Sequence, residues 1–163
     1  MQLPAHRYLE EQKIPYQRLT FPTTTPKGAA EVARVLGFQE RQMVKTLIFE
    51  ADTGERVLVM VGGDQNAISG HLKKVIGSRN IRMASAERVA ATTGYVIGSI
   101  PPFSWQPTGF RSFLDRALLQ ESALGVGAGQ WGEEIIIAPQ DLVRASNAQV
   151  VNLTDREQPI FEE

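Results

Sequence analysis

The 163-residue chain contains no cysteine. Disulfides, thiolate metal ligands and a cysteine nucleophile are excluded together, and a reducing, cytoplasmic setting is expected. Histidine is nearly absent as well. His6 and His71 stand far apart, so no helical histidine pair can hold a metal and a serine–histidine–acid triad has little material. No apolar run nears the ~20 residues of a membrane-spanning helix. The first residues, Met1-Gln2-Leu3-Pro4-Ala5-His6-Arg7, lack the layout of a signal peptide. An excess of one charge is missing too: the formal net charge is −1 and the pI about 6.2, so nucleic acid would have to be met by a local basic patch. Neither a Walker loop nor a GxSxG elbow occurs.

What is present is the composition of a packed domain: 42% hydrophobic and 21% charged residues, with 14 glycines and 9 prolines spread along the chain. One domain over residues 1–153 is expected, followed by a polar, frayed tail at 154–163. The spacing of Ala5, Tyr8 and Leu9 predicts a short helix from Pro4 to Lys13, and Tyr16 to Phe21 reads as an edge strand. Thr25 is placed to cap a helix with Pro26 at its first position, burying Ala29, Val32, Ala33 and Leu36 and ending at Gly37. Thr46–Phe49 and Arg56–Val61 read as a hairpin around Asp52-Thr53-Gly54-Glu55, its second arm apolar enough to be central in a sheet. Helices are expected over Ala67–Ile76 and Ala86–Thr92, a strand at Tyr95-Val96-Ile97, a buried strand at Glu134–Ala138 and a helix from Pro139. Phe110–Leu119 mixes helix and strand signals. The expected class is α/β (α+β): a single domain with a largely antiparallel mixed central sheet flanked by helices.

Four features bear on chemistry. Gly125-Val126-Gly127-Ala128-Gly129 precedes a strand instead of opening a helix, so a dinucleotide site is disfavoured and a tight turn preferred. In Gly98-Ser99-Ile100-Pro101-Pro102 the prolines have no N–H, which leaves Gly98, Ser99 and Ile100 as the loop's amide donors. Such a loop suits a carbonyl or a developing oxyanion, and equally an ordinary rigid strand exit. Lys45, flanked by apolar residues, reads either as a desolvated ammonium that grips substrate or as an edge lysine reaching for solvent. Lys73, Lys74, Arg79, Arg82 and Arg88 gather positive charge with only Glu87 opposing, a candidate phosphate footprint and equally a solvated helix face.

The order of these pieces resembles the family of YbaK, ProX and EbsC proteins, related to the editing insertion domain of bacterial prolyl-tRNA synthetases. The resemblance rests on Ala30-Glu31-Val32-Ala33 with Leu36-Gly37, Val44-Lys45-Thr46-Leu47, Leu72-Lys73-Lys74-Val75, Thr93–Gly98 with Pro101-Pro102-Phe103, and Gly127-Ala128-Gly129 leading to Ile135–Leu142. It implies hydrolysis, in trans, of the ester in mischarged aminoacyl-tRNA, such as proline tRNA carrying alanine, cysteine, serine or threonine. Lys45 falls on the family's functional lysine, and Gly98–Pro102 on its GxxxP loop, whose amides hold the aminoacyl group while water attacks with help from a ribose hydroxyl. No metal or organic cofactor is implied. Lys73, Lys74, Arg79 and Arg82 gain the tRNA as a target, and docking on prolyl-tRNA synthetase is a further implied partnership. Phe21 and Glu134 stand where some cysteine-removing relatives carry tyrosine and aspartate, and Gly127 lies where those have serine. The side-chain pocket, assigned to Phe21, Ser99, Ile100, Pro101, Pro102, Gly127 and Glu134, is therefore expected to differ in polarity. The rival readings are a binding module of the same fold without turnover, and a hydrolase of small esters or amides. A shared pocket is expected for Lys45 and the amides of Gly98–Ile100, with Phe21 and Glu134 on its rim.

Overall fold

The computed structural model describes residues 1–155. Its elements run α1 (Pro4–Glu11), β1 (Gln17–Thr20), α2 (Ala29–Leu36), β2 (Lys45–Ala51), β3 (Arg56–Val61), α3 (Ser69–Ile76), β4 (Ile81–Met83), α4 (Ala86–Thr93), β5 (Ser112–Asp115), β6 (Leu124–Gly127), β7 (Glu133–Ile137), α5 (Pro139–Ser146) and β8 (Gln149–Val151), with short 3-10 turns at Glu40–Gln42 and Arg116–Gln120.

The strands form two sheets. A three-stranded antiparallel sheet has the order β1-β7-β6, and a five-stranded one the order β4-β2-β3-β5-β8. Within the larger sheet β2 pairs antiparallel with both β3 and β4, whereas β5 lies parallel to β3 and to β8. The class is α+β, and the antiparallel pairs outnumber the parallel ones among the described residues. A single bridge, Met43 to Gly125, ties the two sheets along one edge.

Side-chain alternation explains the layering. Val57, Val59 and Val61 of β3 face α3 and pack with Leu72 and Ile76. Leu58 and Met60 point the other way, onto Leu124, Val126, Ile135 and Ile137 of the small sheet. Buried on both faces, β3 has an almost unbroken apolar run. Each fully buried Leu or Ile in this interface stabilises by about 1.5–3 kcal/mol. On the far side of the small sheet, α2 lays Val32 and Ala33 against Phe21, Met43 and Ile136. The succession is α2, small sheet, large sheet, α3.

Several expectations need correction. The helix after Pro26 starts at Ala29, behind Gly28, and Thr25 does not cap it. Thr25 is spent otherwise: its N–H closes a turn onto the Pro22 carbonyl and its own carbonyl accepts the Trp131 indole N–H. Tyr95-Val96-Ile97 is a turn, because Tyr95 N–H donates to the Thr93 hydroxyl and no strand lies beside it to pair. The tight turn expected within Gly125–Gly129 is instead largely strand β6. Thr154, assigned to a frayed tail, donates its hydroxyl to buried Asp115 at 2.7 Å, beside the Leu153 N–H at 2.7 Å. The remainder of the expected tail, 156–163, lies outside the described residues. No helix among the described residues is long and apolar enough to cross a membrane.

Candidate substrate pocket

A cavity of about 450 Å³ opens between the N-terminus of α2, the first residues of β2, the 97–100 loop and the edge of the small sheet. Lys45, Gly98, Ile100, Gly127 and Glu134 all line it. Lys45 is the first residue of β2, paired with Val61, and its Nζ donates to Asn66 Oδ1 at 3.1 Å. The lysine therefore sits where a rigid central strand meets the opening, partly shielded and loosely held by a neutral partner.

The 97–100 loop is braced from behind. Pro101 and Pro102 do not line the cavity. Their carbonyls accept from the Trp105 indole at 2.6 Å and the Gln106 amide at 2.8 Å, and the next residue, Phe103, is fully buried. Ser99 does not line it either: its N–H and its hydroxyl both donate to the Val96 carbonyl at 3.1 Å. The loop's amide donors are thus two and not three. Those of Gly98 and Ile100 have no acceptor among the described residues. Gly98 has φ +97°, a left-handed conformation that side chains resist.

Gly127 explains how the loop and the small sheet come together. A Cβ there would lie 3.1–3.2 Å from the backbone of Ser99 and Ile100. Directly across the β6–β7 ladder stands Glu134, only 8% exposed, its carboxyl without a hydrogen-bond partner among the described residues. Its Oε2 lies over Gly125, 3.0 Å from where a Cβ would sit. Burial pushes its carboxyl up to about 8, so near neutral pH it is a neutral acid with one O–H to give.

Phe21 does not reach the cavity. It is buried behind the wall and meets Trp131 edge-on, with ring centroids 4.8 Å apart. Trp131 is the ring that faces the opening, and Lys27 Nζ lies 4.4 Å from its centroid. Lys27, Trp131, Met43 and Asn66 were missed in the sequence. The available signal was a lysine between Pro26 and Gly28 and a tryptophan inside the glycine-rich stretch.

The basic cluster is divided by the large sheet. Lys73, Lys74 and Arg79 surround an open groove at the C-terminal end of α3. Arg82 pairs across strands with Glu50, whose neighbours Phe49 and Ala51 are the ones that face α3. Alternation puts Arg82 on the opposite face. A second cavity, of about 500 Å³, lies by Asp115 and Arg116. Its charges are already matched: Arg41 meets Glu121 at 3.0 Å, Arg116 meets Asp155 at 3.4 Å, and Asp115 holds Leu153 and Thr154. The 450 Å³ cavity, with an unpartnered carboxyl and two amides awaiting acceptors, is the better candidate.

The model of the aminoacyl-tRNA editing domain matches residues 24–145, which include β2, the 97–100 loop and β6–β7. The chain belongs to that editing-domain family. EbsC of Enterococcus faecalis, a candidate Cys-tRNA(Pro)/Cys-tRNA(Cys) deacylase, is 30% identical over 154 residues, covering 94% of this chain and 93% of EbsC. The proline–tRNA ligase of Streptococcus sanguinis is 33% identical over 130 residues; the match covers 79% of this chain but only 20% of that ligase. Among solved structures, a candidate trans-editing enzyme for prolyl tRNA synthetase superposes with a TM-score of 0.83 at 27% identity, covering 95% of this chain and 99% of that one. The YbaK/EbsC resemblance of the sequence and the fold of the editing domain thus agree.

Proposed function

We propose that this editing-domain chain is an aminoacyl-tRNA deacylase acting in trans, on tRNA carrying a small wrong amino acid such as alanine, cysteine, serine or threonine. The observation that carries the reading is the meeting of Lys45, the Gly98–Ile100 loop and Glu134 on one cavity, within a family of editing domains. The Lys45 ammonium anchors the terminal nucleotide or its ester. The amides of Gly98 and Ile100 point charge at the acyl carbonyl, where an oxyanion develops as water attacks. Preorganised donors of this kind are worth about 10²–10³-fold each. Among the described residues no serine or histidine lines the cavity and the chain has no cysteine, so water is the nucleophile and a ribose hydroxyl of the substrate assists it in place of a protein base. Neutral Glu134 meets the amino-acid side chain at the pocket wall, and Gly127 leaves room beside it. Lys73, Lys74, Arg79 and Arg82 supply cationic contacts to the tRNA. Prolyl-tRNA synthetase is the partner that the ligase relatives suggest.

The test is deacylation of a panel of labelled tRNAs, proline tRNA charged with alanine, cysteine, serine or threonine among them. Wild type is expected to hydrolyse at least one member, and Lys45→Ala to lower kcat/KM by about 100-fold or more. A folded wild type that releases nothing from any charged tRNA overturns the enzymatic reading. Equal turnover by Lys45→Ala removes the lysine from it.

A further inference from the structure

Glu50 is 5% exposed and sits near the turn end of β2, between β3 and β4, where a lone charge would be costly. Three arginines surround it. Arg56 on β3 and Arg82 on β4 flank it as cross-strand partners, at 3.9 and 3.8 Å, and Arg88 reaches it from α4 at 3.6 Å. Three positive charges against one negative leave this patch at +2 in a chain whose formal net charge is −1.

A purely structural network would spend its donors internally. This one does not. A guanidinium carries five N–H groups. Among the described residues, the one hydrogen bond that any of the three guanidiniums makes is from Arg56 to the Thr92 hydroxyl, at 2.9 Å. None donates to Glu50 in hydrogen-bonding geometry, and both Glu50 Oε1 and Arg56 Nε are buried without a hydrogen-bond partner. Glu50 therefore gathers the guanidiniums by charge while their forks stay unspent. The Arg82 and Arg88 side chains are 56% and 51% exposed, so the forks can be reached from solvent. Forked guanidiniums match the oxygens of a phosphate better than any other side chain.

Position adds the partner. Glu50 and Lys45 lie on the same strand five residues apart, roughly 17 Å at the usual rise. Thr46, Ile48 and Glu50 share one face of β2, and Thr46 lines the pocket. Ile48, between Thr46 and Glu50, is buried and Lys45 has the opposite strand parity to Glu50, so a polyanion with its end at Lys45 spans this distance over the surface and not along that face.

We propose that Arg82 and Arg88, gathered with Arg56 around buried Glu50, form a second anion site that grips the RNA phosphate backbone beyond the pocket. The choice of RNA rests on reading the pocket as an aminoacyl-tRNA site. The site would register the body of the substrate and not the amino acid.

The test is equilibrium binding of uncharged tRNA to the full chain across a salt series, which needs no turnover. Arg82→Gln/Arg88→Gln is expected to weaken binding about 10-fold and to flatten the log K against log[salt] slope by about 1.4–1.8, two phosphate contacts' worth. Arg88→Gln alone should give half the change. If the double variant fails to fold, the single one still decides, since Arg88 is half exposed on a helix surface. Arg82→Lys/Arg88→Lys should keep the slope. Arg144→Gln removes the same charge on α5, where Arg144 is paired with Asp141, and should leave the slope as it is. A slope unchanged in Arg88→Gln, or changed as much in Arg144→Gln, overturns the proposal. So does displacement of tRNA by submillimolar inorganic phosphate at matched ionic strength, which would make the cluster a site for the free ion. A folded wild type that deacylates no charged tRNA while the slope effect holds would instead sink the enzymatic reading alone.

Discussion

Glu50 and Glu134 are buried to nearly the same degree, 5% and 8% exposed, and both lie on strands. Their surroundings differ in every other respect. Glu50 is ringed by three guanidiniums within 3.6–3.9 Å, whereas Glu134 faces a cavity with no partner among the described residues. Burial alone therefore does not decide what a carboxyl does. Where cations are supplied, the carboxylate becomes an organiser of positive charge. Where none is supplied, desolvation favours the neutral acid, and the group becomes a hydrogen-bond donor facing a pocket. One molecule uses the same residue type twice, once to attract a polyanion and once to present an uncharged polar contact.

The contrast is broken most forcefully by raising the pH. The carboxyl of Glu134, held up to about 8 by burial, binds a proton in the folded state that the unfolded chain, near 4.5, has already lost. Between those values the folded state holds more protons, so stability is greatest below 4.5 and falls as pH rises toward 8. The loss is at most about 1.4 kcal/mol per pH unit. Glu134→Gln keeps the shape and cannot ionise. Thermal or denaturant melts from pH 5 to 8 should show wild type losing about 3–4 kcal/mol more than this variant over the range. Parallel curves would mean that water enters the cavity and that the carboxyl is ionised there.

A smaller effect of opposite character is expected at Glu50. Glu50→Gln leaves three guanidiniums crowded with no anion between them. Removing one partner of a fully buried pair costs about 3–5 kcal/mol, and the half-exposed arginines reduce this to about 2 kcal/mol. The loss should shrink as salt screens the repulsion, which a denaturant series at low and high salt would show. For Glu134→Gln the salt series should be flat. If both variants responded to salt alike, the distinction between the two sites would fail.

How much of this was legible in the sequence follows from what kind of pattern each feature leaves. Strand β3 was read to its bounds because both faces are buried and the apolar run is continuous. The C-terminal limits of α2, α3 and α4 were marked by Gly37, Gly77 and Gly94, each in the left-handed region. Strand β8 was not read, because Gln149–Val151 is short, largely exposed and held by pairing with β5, a partner distant in the chain. The division of the basic residues was equally invisible. Arg82 and Lys73 are nine positions apart, and only the alternation of β2 and the placing of α3 separate their faces. Lys45 and Gly98 could be named from their motifs. That Phe21 lies behind Trp131, and that the Ser99 amide is consumed by Val96, depends on contacts that no spacing encodes.

The smallest effect probes how the pocket side is assembled. Gly127 lies where β6 passes the 97–100 loop, and an added Cβ would meet the Ser99 carbonyl carbon at 3.1 Å and the Ser99 and Ile100 oxygens at 3.2 Å. These are backbone atoms, so relief requires the loop to shift by a few tenths of an ångström and not merely a side chain to rotate. That loop is held on its far side by Trp105 and Gln106, which resist the shift. Gly127→Ala is therefore expected to cost about 1 kcal/mol, a fall of roughly 2–4 °C in Tm for a domain of this size. The amides of Gly98 and Ile100 would move with the loop, so kcat on a charged tRNA should fall more than the stability change alone suggests. The affinity for uncharged tRNA should hold, because the arginines around Glu50 lie along β2 and away from this contact. A variant that lost affinity and kcat together would show the two regions to be coupled through the sheet, and the separation between pocket and backbone site would have to be abandoned.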